Sequence, residues 1–249
     1  MMRAVSFVLA VASLLMLSAQ ACAKEVITLT NTEWAPYTSQ QLPHNGPLSR
    51  IVSAAFALEG VEVRYVFRPP NRAYAEAAED FAHGTILWST SGRDSDRQRR
   101  FYFSDVVFDG QSVLFHLKSY PFRWSGYQQM AGVRMGGTAG FEYTFDKYPF
   151  LSIDRTAVTD EQNFRKLAAG RFDVFPANLD VGRAIMRTAL TPEQAALITW
   201  DPNPYNITHY HLMMNKRNKE SLRYLGLFNR GLKRLRESGK YDEYLQVLK

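Results

Sequence analysis

The chain contains a single cysteine, Cys22, among its 249 residues. An intrachain disulfide needs two cysteines, and a core of this size makes such staples unnecessary. Beyond residue 23, no segment reaches the roughly 20 apolar residues that span a bilayer. The sequence also has no G-x-S-x-G, P-loop, H-E-x-x-H or C-x-x-C pattern, so the common enzyme signatures are absent. His209 and His211 would face one side of a strand, but a third ligand is lacking, so neither a metal nor a cofactor is expected.

The first 23 residues have the three-part layout of a secretory signal peptide. A positively charged start precedes an apolar run over residues 4–17, and small residues follow. Ala21-Cys22-Ala23 predicts cleavage before Lys24, whereas cleavage after Ala21 would leave Cys22 as a lipid attachment site. We favour Lys24 as the first mature residue, because Ala19 and the residue after it are unusual before a lipidated cysteine. The sequence therefore predicts export to the periplasm.

The composition is typical of a soluble, folded globular protein. Hydrophobic residues make up 46% and charged residues 22%, which argues against disorder. The formal net charge is +6, but basic residues alternate with acidic ones, as over residues 93–100. No uniform basic face is expected, so nucleic acid is not a predicted partner.

Strand-like and helix-like patterns alternate along the mature chain. Such alternation indicates an α/β fold with a largely parallel sheet. Capping boxes at Thr159 and Thr191 predict two helix starts, and Pro176 is expected to end a strand. The predicted strands cover residues 26–30, 61–67, 86–88, 112–115, 132–135, 172–175 and 210–214. The predicted helices cover residues 48–58 and 72–82, begin after the two capping boxes, and include an amphipathic segment over 222–235.

Four stretches in this order resemble the family of periplasmic solute-binding proteins that feed amino-acid importers, known as solute-binding protein family 3. They are residues 33–37, Arg97 with residues 103–105, residues 167–173, and residues 228–241. The resemblance implies a type II two-lobed α/β fold, each lobe a mostly parallel sheet flanked by helices. Two crossing strands, at 112–118 and 209–216, would join the lobes, and closure would bury the ligand. The implied organisation is a signal peptide at 1–23, lobe 1 at 24–115, lobe 2 at 116–209, and a return to lobe 1 at 210–249.

The resemblance also implies how one end of the ligand is bound. Arg97 matches the family's arginine, whose guanidinium grips the ligand's α-carboxylate with two hydrogen bonds. Thr90, Ser91 and Gly92 precede it and would offer hydroxyl and backbone groups to the same ligand. Thr138 lies in a glycine-rich turn before a helix-like stretch, where free N–H groups favour an anion.

The residue expected to bind the other end of the ligand departs from the family's pattern. Asn178 stands where amino-acid binders have an aspartate that pairs with the α-ammonium group. Either Glu33 or Asp180 compensates, although Asp180 should point differently, or the ligand is not an ordinary α-amino acid. Trp34 and Tyr37 are expected to stack against the ligand's planar or apolar part.

Arg72 belongs to a Pro-x-x-Arg-Ala segment that matches a more divergent group of the family, with ligands generally unassigned. The resulting prediction is a monomeric solute-binding protein that serves an inner-membrane ABC permease or receptor and is not an enzyme. Two alternatives stay open. One is a periplasmic enzyme on the same fold, similar to cyclohexadienyl dehydratase, with Glu33 or Asp180 as its carboxylate. The other is a ligand sensor for a membrane receptor.

Overall fold

The computed structural model describes residues 24–89, 94–141 and 143–248. The expected signal peptide therefore lies outside the described residues, as do Thr90, Ser91 and Gly92. No helix in the described ranges combines the length and apolar character needed to cross a membrane.

Strands form along most of the chain where apolar and β-branched residues cluster. β4 is the longest of them and includes the segment predicted at 112–115. The strands are β1 Glu25–Asn31, β2 Val61–Phe67, β3 Gly84–Ser89, β4 Phe101–Leu117, β5 Met135–Thr138, β6 Ile153–Ala157, β7 Val174–Asn178, β8 Ile198–Trp200 and β9 Asn206–Asn215.

The helices connect these strands and cover the sheet. Both predicted capping boxes begin helices: Thr159 accepts a bond from the Gln162 amide, and Thr191 from the Gln194 amide. The α-helices are α1 Pro47–Ala57, α2 Pro70–Ala78, α3 Asp94–Arg100, α4 Asp160–Ala168, α5 Leu179–Thr188, α6 Pro192–Leu197, α7 Ser221–Glu237 and α8 Lys240–Leu245; 3₁₀ turns cover Pro43–Asn45, Tyr127–Met130, Thr144–Lys147 and Gln246–Leu248.

One mixed sheet runs through both lobes in the order β2-β1-β3-β9-β4-β7-β5-β6, with β8 pairing to β4. The outer strands pair in parallel within each lobe, β1 with β2 and β3, and β5 with β6 and β7. β4 and β9 run antiparallel to each other and carry the chain between the lobes. The first part of β4 pairs with β9, whereas its last residues pair with β7 and β8.

The hydrophobic cores place the lobe boundary earlier than the predicted one after residue 115. Val107 and Phe108 pack into the core of lobe 1, together with α1 and α7. Val113 and Phe115 pack instead with Phe164 in the core of lobe 2. The change of side occurs over the few residues between, where β4 passes Gly110, so lobe 2 begins near residue 112.

Two predicted element boundaries also differ from the structure. The helix predicted over 72–82 ends at Ala78, because Asp80 adopts a left-handed conformation with φ of 65°. The strand expected to stop at Pro176 continues to Asn178. Pro176 pairs with Leu114 of β4, while on its other side β7 meets β5 only at Val174, so the missing N–H removes no ladder bond there.

Candidate ligand-binding cleft

A cleft of 430 Å³ lies between the lobes, beside the crossing strands β4 and β9. This volume is in the range that accommodates small-molecule ligands. Side chains from both lobes line it, and aromatic rings and hydroxyl groups dominate. The lining residues are Trp34, Ser89, Ser112, Phe141, Tyr143, Thr144, Lys147, Asp160, Pro176, Ala177, Asn178, Val181, Tyr205, Asn206, Thr208 and Tyr210.

Trp34, one of the residues expected to contact the ligand, lies on the lobe 1 side of the cleft. Its ring lies 5.1 Å from that of Tyr210 and 4.7 Å from that of Tyr37, both edge to face. Tyr37 itself is fully buried and packs against Phe108 behind Trp34. Trp34 and Tyr210 therefore offer surface to a ligand, and Tyr37 supports them from behind.

The Tyr37 hydroxyl joins the two lobes. Its single hydrogen is shared between two acceptors, the Asn178 side-chain oxygen and a carboxylate oxygen of Asp180 that lies 2.9 Å from the phenol oxygen. Burial and the nearby Asp180 carboxylate raise the pKa of Tyr37, so the phenol stays protonated and can donate. Gly110 lets Tyr210 and Asn178 approach the backbone of β4 closely, because a Cβ there would lie 2.7 Å from the Tyr210 ring and 3.0 Å from the Asn178 amide nitrogen.

Asn178 also caps the first turn of α5, and its oxygen accepts from the amides of Asp180 and Val181 at 3.1 and 3.4 Å. The tight turn at the start of α5 brings Asp180 to the same phenol, but of these two residues only Asn178 lines the cleft. Burial raises the pKa of Asp180, and the hydrogen bond from Tyr37 opposes that rise. Asp180 serves the contact between lobes, because it does not line the cleft.

Thr138 contacts Asp160 of the cleft lining through its side-chain hydroxyl rather than through backbone amides. Its own amide donates to the Tyr143 hydroxyl at 3.0 Å, and the Ala139 amide donates to Ala157 at 2.8 Å. The turn leads into the 3₁₀ turn Thr144–Lys147 instead of the expected α-helix. The predicted anion site at a helix start is therefore corrected: two amides of this turn already have protein acceptors.

Asp160 is the acidic side chain of the cleft among the described residues. The Asn163 amide nitrogen donates to the Thr138 hydroxyl at 3.0 Å, and that hydroxyl donates to Asp160 Oδ1. Burial raises the pKa of Asp160, and the hydrogen bond from Thr138 opposes that rise. The Thr144 hydroxyl, also in the cleft lining, is buried without a hydrogen-bond partner. The site therefore holds a fixed carboxylate and an unsatisfied hydroxyl group.

Three predicted ligand residues lie away from this cleft. Arg97 donates to the Ser89 carbonyl at 2.8 Å, with its guanidinium 4.9 Å from the Trp88 ring. It borders a separate depression of 350 Å³. Glu33 is exposed and accepts two bonds from Gln40, both at 3.1 Å, and a hydrogen bond from Ser39 holds its pKa low.

Arg72 is the third of these residues, and it borders a separate depression on lobe 1. It bonds Glu76 at 2.6 Å and is 67% exposed. His209 and His211 have separate partners: His209 contacts Asp109 at 2.6 Å, and His211 contacts the Ser104 carbonyl at 2.8 Å. Across the described ranges, no cluster of three or more His, Cys, Asp or Glu residues is placed to hold a metal.

Apart from Asn178, the lobe 2 residues that line the cleft were not predicted from the sequence. Asp160 lies in the Thr159 capping box, where an acidic residue is ordinary, so its pattern carried no sign of a site. Tyr143, Tyr205 and Lys147 lie in irregular segments with no periodic signal.

Comparisons with known proteins agree with this architecture. No protein-family profile and no curated protein sequence matches the chain. Among solved structures, the Bacillus subtilis protein YckB matches with a TM-score of 0.71 and 18% identity over 92% of both chains. The chain has the two-lobed fold of periplasmic binding proteins. This confirms the α/β fold class predicted from the sequence.

Two further neighbours of this binding-protein fold differ in their described roles. One is an amino-acid ABC transporter substrate-binding protein from Streptococcus pneumoniae bound to L-arginine, with a TM-score of 0.63, 16% identity, and coverage of 93% of this chain and 97% of that one. The other is a histidine kinase sensor domain with similarity to periplasmic binding proteins. It matches with a TM-score of 0.65 and 15% identity, and the match covers 89% of this chain and 95% of that one. At such identities, the likeness concerns the fold.

Proposed function

We propose that the protein is an extracytoplasmic solute-binding protein that captures a small polar, amino-acid-like solute between its lobes. The observation that carries this proposal is the 430 Å³ cleft lined from both lobes beside the crossing strands. Strands that cross between lobes can act as a hinge, and closure around such a cleft would bury a ligand. The aromatic rings and hydroxyl groups of the lining suit a solute with both apolar and polar parts.

Delivery to an inner-membrane ABC permease is the proposed role, with the protein acting as a periplasmic monomer. The arginine-bound neighbour from an amino-acid ABC transporter supports this role. The kinase sensor domain supports the second candidate, a sensor for a membrane receptor. A permease gene beside the gene for this protein would favour the importer, and a receptor or kinase gene would favour the sensor.

A thermal-shift screen tests the proposal on mature protein against amino acids, their amides, amines, opines and small organic acids. A ligand that binds only the folded state raises the melting temperature, by an amount that follows its concentration and affinity. Thr208 lines the cleft, so Thr208→Trp should fill it and abolish the shift. Ile207 is 49% exposed on the alternate face of β9, so Ile207→Trp is the matched control.

Binding without turnover is the second part of the proposal. The enzyme alternative relied on Glu33 or Asp180, and neither lines the cleft. Asp160 is the described carboxylate that a reaction in the cleft would use. Incubation of each hit with the protein, followed by mass spectrometry of the solute, should recover the solute unchanged. Product that forms with wild type and not with Asp160→Asn would favour the enzyme instead.

A further inference from the structure

We infer that the cleft selects an organic cation, an ammonium or guanidinium group on an apolar or planar body, whose charge binds the Asp160 carboxylate. This inference rests on the proposed function, since it requires a solute between the lobes. It names the chemical class of that solute from residues that the sequence resemblance did not assign to the site.

The charge balance of lobe 2 is the first argument. Asp160 is half-buried, yet no arginine or lysine of the described residues lies within 4.0 Å of it. Buried charges in proteins are normally paired, so an unpaired carboxylate in a cleft suits a cationic ligand. Three other aspartates of the same lobe do have such partners: Asp146 pairs with Arg155, Asp154 with Lys166, and Asp173 with Arg134. The buried Asp201 has no such cation, but its carboxylate accepts from two backbone amides, whereas no backbone amide of the described residues donates to Asp160.

The position of Asp160 in the first turn of α4 has an ordinary explanation, because acids there complement the helix dipole. Glu161 occupies the same turn, however, and is exposed to solvent. Asp160 instead turns toward the cleft and the Thr138 hydroxyl. The Glu161 carboxylate thus suffices to complement the helix dipole at the surface. The Asp160 carboxylate lies in the cleft, where burial raises its pKa.

The hydrogen-bond chain fixes Asp160 as an acceptor. Thr138 has one hydroxyl hydrogen, and its oxygen already accepts from the Asn163 amide nitrogen at 3.0 Å. That hydrogen therefore goes to Asp160 Oδ1. No described residue donates to Oδ2, which remains available to an N–H group of a ligand.

The rings around Asp160 suit the same kind of ligand. Burial raises the phenol pKa of Tyr143 and Tyr205, both of which line the cleft, and the nearby Asp160 charge adds to that rise. Aromatic faces attract cations and stack on planar groups. Trp34 and Tyr210 supply the facing wall from lobe 1. Lys147, which is exposed, is the only cation among the described lining residues. Arg97 borders a different depression.

Matched probes that share a body and differ in charge test the inference. Phenethylamine, phenylalanine and 3-phenylpropionate form one series; pentylamine, norleucine and hexanoate form another; agmatine is the guanidinium probe. We expect the amines, agmatine and the zwitterions to raise the melting temperature and to bind in calorimetry. The two anions should bind at least about tenfold more weakly, because they lack the charge that pairs with the carboxylate.

Asp160→Asn should weaken binding of the amines by about tenfold or more, since asparagine keeps the Thr138 bond but loses the charge. Glu161→Gln removes the same charge one residue away and should leave affinity within about twofold. Anions that bind as tightly as amines, or an Asp160→Asn variant with unchanged amine affinity, would overturn the inference. Absence of binding by every cation and zwitterion would overturn it as well.

The broader solute screen separates the two proposals. A neutral or anionic solute whose binding is abolished by Thr208→Trp would leave solute binding intact and overturn only the cation class. Failure of every solute class would overturn both. The selectivity of wild type between the matched probes is a readout that does not depend on the folding of any variant.

Discussion

Replacing Tyr37 with phenylalanine isolates the contact between the lobes. The substitution removes one hydroxyl and keeps the ring that packs between Trp34 and Phe108. The lost bonds join Tyr37 to Asn178 and Asp180 across the two lobes. Asn178 keeps two backbone donors from α5, so Asp180 is the acceptor left poorly satisfied.

The expected cost follows from the chemistry of that acceptor. A hydrogen bond to a charged group contributes about 1.5–3 kcal/mol, and Tyr37 is fully buried, so water cannot replace its hydroxyl. Asp180 is only partly buried and regains some hydration, which places the expected loss near 2 kcal/mol. Urea denaturation measures this loss, and small-angle scattering of ligand-free protein should show a larger radius of gyration as the lobes separate.

Tyr65→Phe is the matched control. The Tyr65 hydroxyl donates to the Ser49 carbonyl at 2.8 Å, and both residues belong to lobe 1. This variant should lose about 1 kcal/mol of stability while its radius of gyration stays at the wild-type value. A Tyr37→Phe protein with wild-type stability and dimensions would refute the reasoning that this phenol holds the lobes together.

Three further predictions concern the site and the N-terminus. Arg97→Ala should cost about 0.5–1.5 kcal/mol of stability through the lost Ser89 bond, with ligand affinity nearly unchanged; a hundredfold loss in calorimetry would place Arg97 in the site. The pKa of Asp160 is raised above its ordinary 3.8, so its charge destabilises the fold as pH rises through the folded pKa. The stability of Asp160→Asn relative to wild type should therefore fall as pH is lowered from 7 toward 4, and a pH-independent difference in urea titrations would contradict this. Intact-mass analysis of exported protein should give Lys24 as the first residue, whereas a lipidated Cys22 would show the other cleavage.

The sequence was sufficient for elements whose signal is local. Periodicity and capping residues predicted α1, α4 and α7, because helix starts and apolar stripes are written in neighbouring residues. β4 was only partly predicted. Its pairing with β9 is irregular around Phe103 and Val106, and these bulges interrupt the alternation that marks a strand.

The site was harder to predict, because motif spacing fixes position along the chain and not the direction of a side chain. Arg97 stands six residues before Phe103, as the resemblance requires, yet its guanidinium bonds the end of β3 instead of lining the cleft. Asp160 shows the opposite error. Its side chain lines the cleft, but its position in the first turn of a helix predicts only a structural role. Only the packing of β5 against α4 brings Thr138 and Asp160 together, across 22 residues of sequence.

A calorimetric titration of the strongest solute from the screen tests the central claim most directly. We predict one binding site per chain in wild type, the same affinity in Ile207→Trp, and no measurable heat of binding in Thr208→Trp. These two positions are adjacent on β9, but only Thr208 lines the cleft between the lobes. Equal affinity in all three proteins would contradict the account, because it would place the ligand outside that cleft.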